Sequence, residues 1–194
     1  MCANDKLNVV TLNQATLWVK DVALRQKCNS VDVENEKQLE EAQAIAKEMF
    51  RVLYSDPSGV ALAAPQIGIL KRIVVISYDD RETKKKVLHV LINPEITDHS
   101  EETNDANEIC LSIPNYMGKV TRYNAVEVQA FDHFGKAIVI KAEGFFARVL
   151  QHEIDHTNGV LYIDKVKDDL VKIPDFYDRR TRPTLKELGL TYLL

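Results

Sequence analysis

The spacing of apolar residues predicts two amphipathic helices. Over residues 34–54, apolar side chains recur at three- and four-residue steps, the period that places them on one face of a helix. A second helix is predicted over residues 145–157, and Gly159 just beyond it is suited to cap its C-terminal end. The segment 60–68, Val-Ala-Leu-Ala-Ala-Pro-Gln-Ile-Gly, is rich in small residues, and we expect it to form a loop beside a functional site.

Runs rich in β-branched and other apolar residues, separated by turn signals, predict strands between the two helices. These runs cover residues 73–77, 87–92, 126–130 and 138–141, and residues 161–163 are a further candidate strand. A helix near each end of a run of strands is typical of an α+β fold. We therefore expect mainly antiparallel sheets packed around a central helix, the second one, with the first helix as an additional N-terminal element.

Composition and length are those of an ordinary globular protein. The chain has 194 residues, of which 45% are hydrophobic and 28% are charged, so we expect a single domain over residues 1–194 with an irregular tail from about residue 165. The formal net charge of -4 gives no support to a broad nucleic-acid-binding surface. Because no apolar stretch approaches the ~18 residues of a membrane span, no membrane insertion is expected.

The cysteines indicate a reducing environment. Cys2, Cys28 and Cys110 are odd in number and widely spaced, which argues against a disulfide framework. The N-terminal segment also lacks the unbroken apolar stretch of a secretory signal. We therefore expect a cytoplasmic protein, in which a cysteine thiolate is available as a metal ligand.

Residues 151–156, Gln-His-Glu-Ile-Asp-His, carry the clearest chemical signal in the chain. His152 and His156 are four residues apart, so on a helix their imidazoles lie on one face, one turn apart. That separation allows both rings to bind one metal ion, with Glu153 placed to act on a water molecule beside it. The other histidines lack such a context, and we interpret them as ordinary surface or strand residues: His89, His99 and His133.

A catalytic metal site of this kind needs a third protein ligand. In the metzincin pattern this ligand is a third His, but the chain has Tyr162 at that position, and Tyr is a poor zinc ligand. In thermolysin-like enzymes it is a downstream Glu, for which Glu187 is the candidate, in a region broken by prolines. An upstream cysteine, Cys110, is the third candidate, although burial as a packing residue is the usual fate of a free cysteine.

Three segments resemble, in the same order, the three motifs of peptide deformylases. The family motifs are G-x-G-x-A-A-x-Q, E-G-C-L-S and Q-H-E-x-D-H. The chain has Gly-Val-Ala-Leu-Ala-Ala-Pro-Gln at 59–66, Glu-Ile-Cys-Leu-Ser at 108–112 and Gln-His-Glu-Ile-Asp-His at 151–156. The resemblance extends from about residue 24 to residue 164. It implies a hydrolase that removes the N-formyl group from the N-terminal methionine of nascent polypeptides and releases formate.

The resemblance also implies the ligand set and the metal. Cys110, His152 and His156 would bind one divalent ion, and water would fill the fourth position. A cysteine with two histidines suits several metals. The family favours Fe(II), with Zn(II), Ni(II) and Co(II) as alternatives.

Further residues receive roles from the same resemblance. Glu153 would act first as general base and then as general acid. The side-chain amide of Gln66 and the backbone N–H of Leu111 would stabilise the tetrahedral oxyanion. Metal-bound histidines usually donate their second N–H to an acceptor, for which Asp155 and Glu108 are candidates, and Arg122 is a candidate partner for Glu108.

Two positions depart from the family motifs. Ala61 and Ile109 stand where the motifs have glycine, and both segments border the substrate cleft in this family. Because glycine permits close backbone approach, the added side chains are expected to narrow the cleft or to change what enters it. Residues on the His152 face of the helix, Val149 and Phe145, together with Val60, are candidates for the pocket that accepts methionine. Each of them could equally be a core residue.

Three alternative functions remain open at this point. A metalloprotease would use a third ligand other than Cys110. A structural metal-binding module would close its site with Cys2 or Cys28 as a fourth ligand. A deformylase-like protein with a repurposed cleft would bind metal normally but act on another N-acyl substrate.

The tail contains three arginines that bear on possible partners: Arg179, Arg180 and Arg182. Deformylases act on chains that leave the ribosome, so these residues are candidates for contact with ribosomal RNA. A solvated charge cluster is the interpretation that we favour, and no specific nucleic acid is expected as a partner.

Overall fold

The computed structural model describes residues 23–56, 59–79 and 86–173 of the chain. Helix α1 spans Glu36–Leu53 and helix α2 spans Gly144–Thr157. The strands of this part of the chain are β1 (Ala61–Ala63), β2 (Ile73–Asp79), β3 (Lys86–His99), β4 (Thr103–Cys110), β5 (Ile113–Tyr123), β6 (Ala125–Phe131), β7 (Ala137–Glu143) and β8 (Val171–Lys172).

The strands form two antiparallel sheets. One has five strands in the order β1-β2-β3-β6-β7, and the other has three in the order β4-β5-β8. All pairings between these strands are antiparallel. The prediction of a mixed α+β fold with antiparallel sheets and two helices is therefore confirmed. The expectation of a single domain stays a prediction, because both ends of the chain lie outside the described residues.

Helix α1 owes its position to one apolar face. Asn35 caps its N-terminus by accepting a hydrogen bond from the backbone N–H of Gln38 at 3.2 Å. The helix packs against β1, β2 and the 3₁₀ helix Ala64–Ile67. Its buried side chains are those of Ala42, Ala46, Met49, Val52 and Leu53. These are positions that the three- and four-residue spacing predicted. Their burial packs α1 against one face of the five-stranded sheet.

Helix α2 contacts strands of both sheets. Its apolar residues join the other face of the five-stranded sheet in a core that includes Ala147, Val149, Leu150 and Ile154. Gly159 ends the helix with φ 74°, and its N–H donates to the carbonyl of His156. The next N–H, that of Val160, donates to the carbonyl of Asp155. These two bonds form a Schellman cap, as the position of Gly159 predicted. Neither helix of the described residues is long and apolar enough to cross a membrane.

Several local predictions were wrong. The expected loop over residues 60–68 contains strand β1 and a 3₁₀ helix, Ala64–Ile67, because its three alanines are all buried against α1 and α2. The candidate strand at residues 161–163 is instead the start of a 3₁₀ helix, Tyr162–Lys165. The tail is not irregular throughout, since β8 pairs with β5.

Strands β4 and β5 were not predicted. The sequence of β4, Thr-Asn-Asp-Ala-Asn-Glu-Ile-Cys, is mostly polar and offers no alternation of apolar residues to detect. Its partner β5 supplies the pairing that fixes it, with Thr103 opposite Tyr123 at one end and Cys110 opposite Ile113 at the other. The β4–β5 hairpin thereby ends in a tight turn at Leu111, directly after Cys110.

Candidate metal centre

Cys110, His152 and His156 converge although they come from two elements. Cys110 ends β4, and the two histidines lie on α2. Each can offer one ligand atom, and these three atoms lie within 4.8 Å of one another. The Sγ atom of Cys110 is 3.3 Å from Nε2 of His156. Within the described residues, this is the group of His, Cys, Asp and Glu side chains that could hold a metal ion.

The donor set and its surroundings fit a divalent transition metal. Thiolate sulfur and imidazole nitrogen are ligands for Zn(II), Fe(II), Co(II) and Ni(II). Burial lowers the pKa of His156 well below its usual value, and the nearby His152 adds to this shift. The ring is therefore neutral and able to bind a metal. The other two cysteines do not join: Cys28 is outside the group, and Cys2 lies outside the described residues.

Cys28 is also chemically unsuited to be a ligand. Burial raises the pKa of its thiol to about 11, which keeps it protonated at neutral pH, whereas the metal-binding form is the thiolate. Tyr162, which occupies the metzincin ligand position, donates its hydroxyl hydrogen to the carbonyl of Tyr116 at 2.9 Å. The ring of Tyr162 stacks on that of His152. Glu187 lies outside the described residues.

A buried carboxylate, Glu108, orients His152. Oε2 of Glu108 is 2.9 Å from Nδ1 of His152, so with Nδ1 as donor the ring leaves Nε2 for a metal. Arg122 donates to both carboxylate oxygens, each at 2.9 Å, as anticipated for this pair. Burial disfavours the charged form of Glu108, but the bonds from Arg122 and His152 prevail and hold its pKa well below the usual range.

The network extends from Glu108 to further groups. Arg122 also donates to Asp155, which in turn pairs with Lys165 at 2.9 Å. Arg148, one turn before His152 on α2, donates to Oε1 of Glu108 at 2.7 Å. Arg148 was not predicted as a site residue, and its spacing of four residues from His152 is the signal in the sequence that points to it.

Glu153 is buried beside these residues. Burial raises the pKa of its carboxyl to about 7. Its Oε2 atom and Nδ1 of His156 are the buried side-chain polar atoms that lack a hydrogen-bond partner in the described part of the chain. A buried polar atom in this condition is costly, and a water molecule or substrate group would satisfy it. Glu153 therefore has both the position and the pKa of an acid–base group at neutral pH.

Gln66 is held in one orientation by its neighbours. Its Oε1 accepts a hydrogen bond from the backbone N–H of Ala63 at 2.8 Å. Its Nε2 donates to Oγ of Ser112 at 3.2 Å and lies 3.5 Å from Sγ of Cys110. The amide is thus fixed next to the metal ligands. Leu111 directly follows Cys110, and its side chain packs against the core beneath α1.

Four of the five predicted pocket residues belong to one apolar cluster. Ala61 and Val149 are buried in it, and Val60 and Phe145 pack against it from partly buried positions. Phe145 also meets Tyr78 edge to face, with ring centroids 5.3 Å apart. The fifth residue, Ile109, is partly buried on β4 between Glu108 and Cys110 and is not among the described members of this cluster.

Comparison with known proteins agrees with this arrangement. The sequence model of the family described as polypeptide deformylase matches residues 14–171. The peptide deformylase of Brachyspira hyodysenteriae is 41% identical over 166 residues, 84% of this chain and 84% of that protein.

Solved structures of peptide deformylases superpose on the chain. The Ehrlichia chaffeensis enzyme in complex with actinonin gives a TM-score of 0.70 at 32% identity, covering 84% of this chain and 89% of that one. The Acinetobacter baumannii enzyme with bound Met-Ala-Ser gives 0.66 at 29% identity, covering 81% and 96%. These matches do not favour a metalloprotease or a non-catalytic metal-binding module. The chain belongs to the peptide deformylase family, metal-dependent enzymes that hydrolyse the N-formyl amide of nascent peptides.

Proposed function

We propose that Cys110, His152 and His156 are the ligands of one catalytic ion and that α2 is the central helix that carries the catalytic motif. The observation that supports this most directly is the approach of the three ligand atoms to within 4.8 Å of one another. We expect Fe(II), with Zn(II), Ni(II) or Co(II) as alternatives that the same donors accept. When bound, such an ion lowers the pKa of water and polarises a carbonyl oxygen.

Glu153 would move the protons of the reaction. Its unpartnered Oε2 atom is available to accept a proton from the water that attacks the formyl carbon. With a pKa of about 7, the carboxyl can then return that proton to the amine as the carbon–nitrogen bond breaks. The products are formate and a peptide with a free N-terminal methionine.

Gln66 and Leu111 would stabilise the charge that develops on the formyl oxygen. The Gln66 amide donates to Oγ of Ser112 and to Sγ of Cys110, so its second hydrogen points at the proposed ligands, where the oxyanion would form. A donor fixed in advance stabilises an oxyanion without reorganising during the reaction. The backbone N–H of Leu111 follows Cys110 in the chain and is the second proposed donor.

The apolar cluster suggests where the substrate lies. We propose that Val60, Phe145 and Val149 contact the methionine side chain. Strand β1 is at an edge of its sheet, so a peptide could pair with it as an added strand. The Met-Ala-Ser tripeptide bound to the Acinetobacter baumannii enzyme corresponds to the product of such a reaction. Formyl-Met-Ala-Ser is therefore a suitable test substrate.

We also propose that the protein acts in the cytoplasm on chains emerging from the ribosome, where formyl-methionyl peptides arise. The tail arginines, Arg179, Arg180 and Arg182, lie outside the described residues, and we favour a solvated charge cluster over a ribosomal contact through them. Unchanged co-sedimentation with ribosomes after deletion of residues 175–194 would exclude that contact.

Replacing the proposed general base should abolish most of the activity. In the Fe(II)-loaded protein, prepared without oxygen, Glu153→Gln is expected to lower kcat for formate release from formyl-Met-Ala-Ser by about 10²- to 10⁴-fold. Glu143→Gln, at an exposed glutamate just before α2, is the matched control and should retain the parental rate. Equal rates in the parent and Glu153→Gln would refute the proposed role.

Metal content should distinguish Cys110 from Cys28. After desalting, the parent and Cys28→Ala are expected to retain one metal ion per chain, because the buried thiol of Cys28 lies outside the ligand group. Cys110→Ala should retain much less, since it loses one of three proposed ligands. The measurement is elemental analysis by mass spectrometry. Full metal content in Cys110→Ala would point to another third ligand.

The two non-glycine positions should restrict the residue after methionine. We propose that both side chains border the cleft, as the family resemblance implies, so Ile109→Ala and Ala61→Gly should allow a bulky second residue to be accepted more readily. We expect kcat/KM for formyl-Met-Trp-Ser, relative to formyl-Met-Ala-Ser, to rise by about tenfold. Val139→Ala, at an exposed position on β7, is the control. An unchanged ratio in both cleft variants would show that these side chains do not limit the substrate.

A further inference from the structure

Arg148 is a buried arginine that belongs neither to the proposed metal ligands nor to the proposed acid–base and oxyanion groups. Its side chain is 5% exposed and lies one helical turn before His152 on α2. Nη1 donates to Oε1 of Glu108 at 2.7 Å and to the carbonyl of Val120 at 3.0 Å. Nη2 donates to the backbone carbonyl of Asn104 at 3.0 Å and to the side-chain Oδ1 of the same residue. Burying a guanidinium group requires such directed contacts.

These contacts connect the two elements that supply the metal ligands. Asn104 and Glu108 lie on β4, which ends at Cys110, and Val120 lies on β5, its hairpin partner. Arg148 belongs to α2, which carries the two histidines. A single side chain therefore fastens the β4–β5 hairpin to α2, close to where Cys110 and the histidines must meet.

Arg148 also completes the environment of the Glu108 carboxylate. Arg122 binds both oxygens of Glu108, but it is shared with Asp155. Of the two oxygens of Glu108, Arg148 binds only Oε1. The other oxygen, Oε2, faces Nδ1 of His152. Loss of Arg148 would leave Oε1 with its bond from Arg122 alone and would remove the link from Glu108 to α2 through that oxygen, so the carboxylate would be held less firmly beside the imidazole.

We propose that Arg148 is a positioning residue that holds Glu108 and the β4–β5 hairpin where Cys110 and His152 can bind the same ion. The inference rests on the proposed metal site and goes beyond it, because Arg148 touches neither the ion nor the substrate. Removing a partner that orients a metal ligand typically weakens metal binding 10- to 100-fold. The hairpin itself has a second attachment to α2, since Gln151 bonds to both backbone groups of Tyr123. The variant is therefore expected to fold.

The experiment measures metal affinity and the ligand field separately from turnover. Arg148→Met should bind Zn(II) about 10- to 100-fold more weakly than the parent in competition with a chelator. In the Co(II)-loaded protein, the visible absorption of the cobalt–thiolate centre should shift or weaken. For Fe(II)-loaded protein at saturating metal, kcat should fall while KM for formyl-Met-Ala-Ser stays nearly constant. Arg148→Lys can still reach Glu108 and should recover part of the loss.

A matched control separates positioning from general stability. Arg72 is a partly buried arginine that donates to Asn158 and to the carbonyl of Pro94, each at 2.7 Å. Arg72→Met should lower the melting temperature while leaving the Zn(II) affinity and the Co(II) spectrum as in the parent.

Parental Zn(II) affinity and an unchanged Co(II) spectrum in Arg148→Met would overturn the inference, as would an equal loss of affinity in Arg72→Met. If Arg148→Met does not fold, the same comparison is made with Arg148→Gln, which also loses the charged contact with Glu108, and parental values there would overturn it as well. A parent that binds no metal would instead refute the proposed metal site, so the two failures are distinguishable.

Discussion

The buried carboxylate of Glu108 is the constraint on which the active region depends. A buried charge is tolerated only when it is paired and fully hydrogen-bonded, and Glu108 meets this condition through Arg122, Arg148 and His152. These partners come from β5 and α2, whereas Glu108 lies on β4. Satisfying one charge thus brings together the three elements of the site, and the geometry of the proposed metal ligands follows from it.

The sequence predicted the fold best where packing is periodic. Both helices were found because one apolar face of each is buried, and the Schellman cap was anticipated from Gly159 alone. The polar strand β4 was missed because its stability derives from pairing with β5 and from Glu108, neither of which leaves a local pattern. The segment 60–68 was misassigned for a related reason, since its small residues form a strand only because two helices pack over them.

The site was predictable as far as it is encoded in short motifs. The proposed ligands, Glu153 and Gln66 were all candidates from their motifs, and the structure places them close together. Among the residues that orient them, Glu108 and Ser112 lie in the second motif and Arg122 was a candidate partner of Glu108, but Arg148 could not be found in this way. Arg148 acts through its contact with Glu108, 40 positions away, and apart from its spacing of four residues from His152 nothing in the local sequence distinguishes it from residues that only fill space.

The buried polar atoms that lack hydrogen-bond partners also lie at the proposed metal site. Buried polar groups in native proteins nearly always have partners, and the exceptions call for an explanation. In the part of the chain that the structure describes, the two exceptions among side chains are Oε2 of Glu153 and Nδ1 of His156. Glu108, which is as deeply buried, has every partner it needs. The contrast separates a carboxylate that orients the site from one left free to exchange a proton with water and substrate.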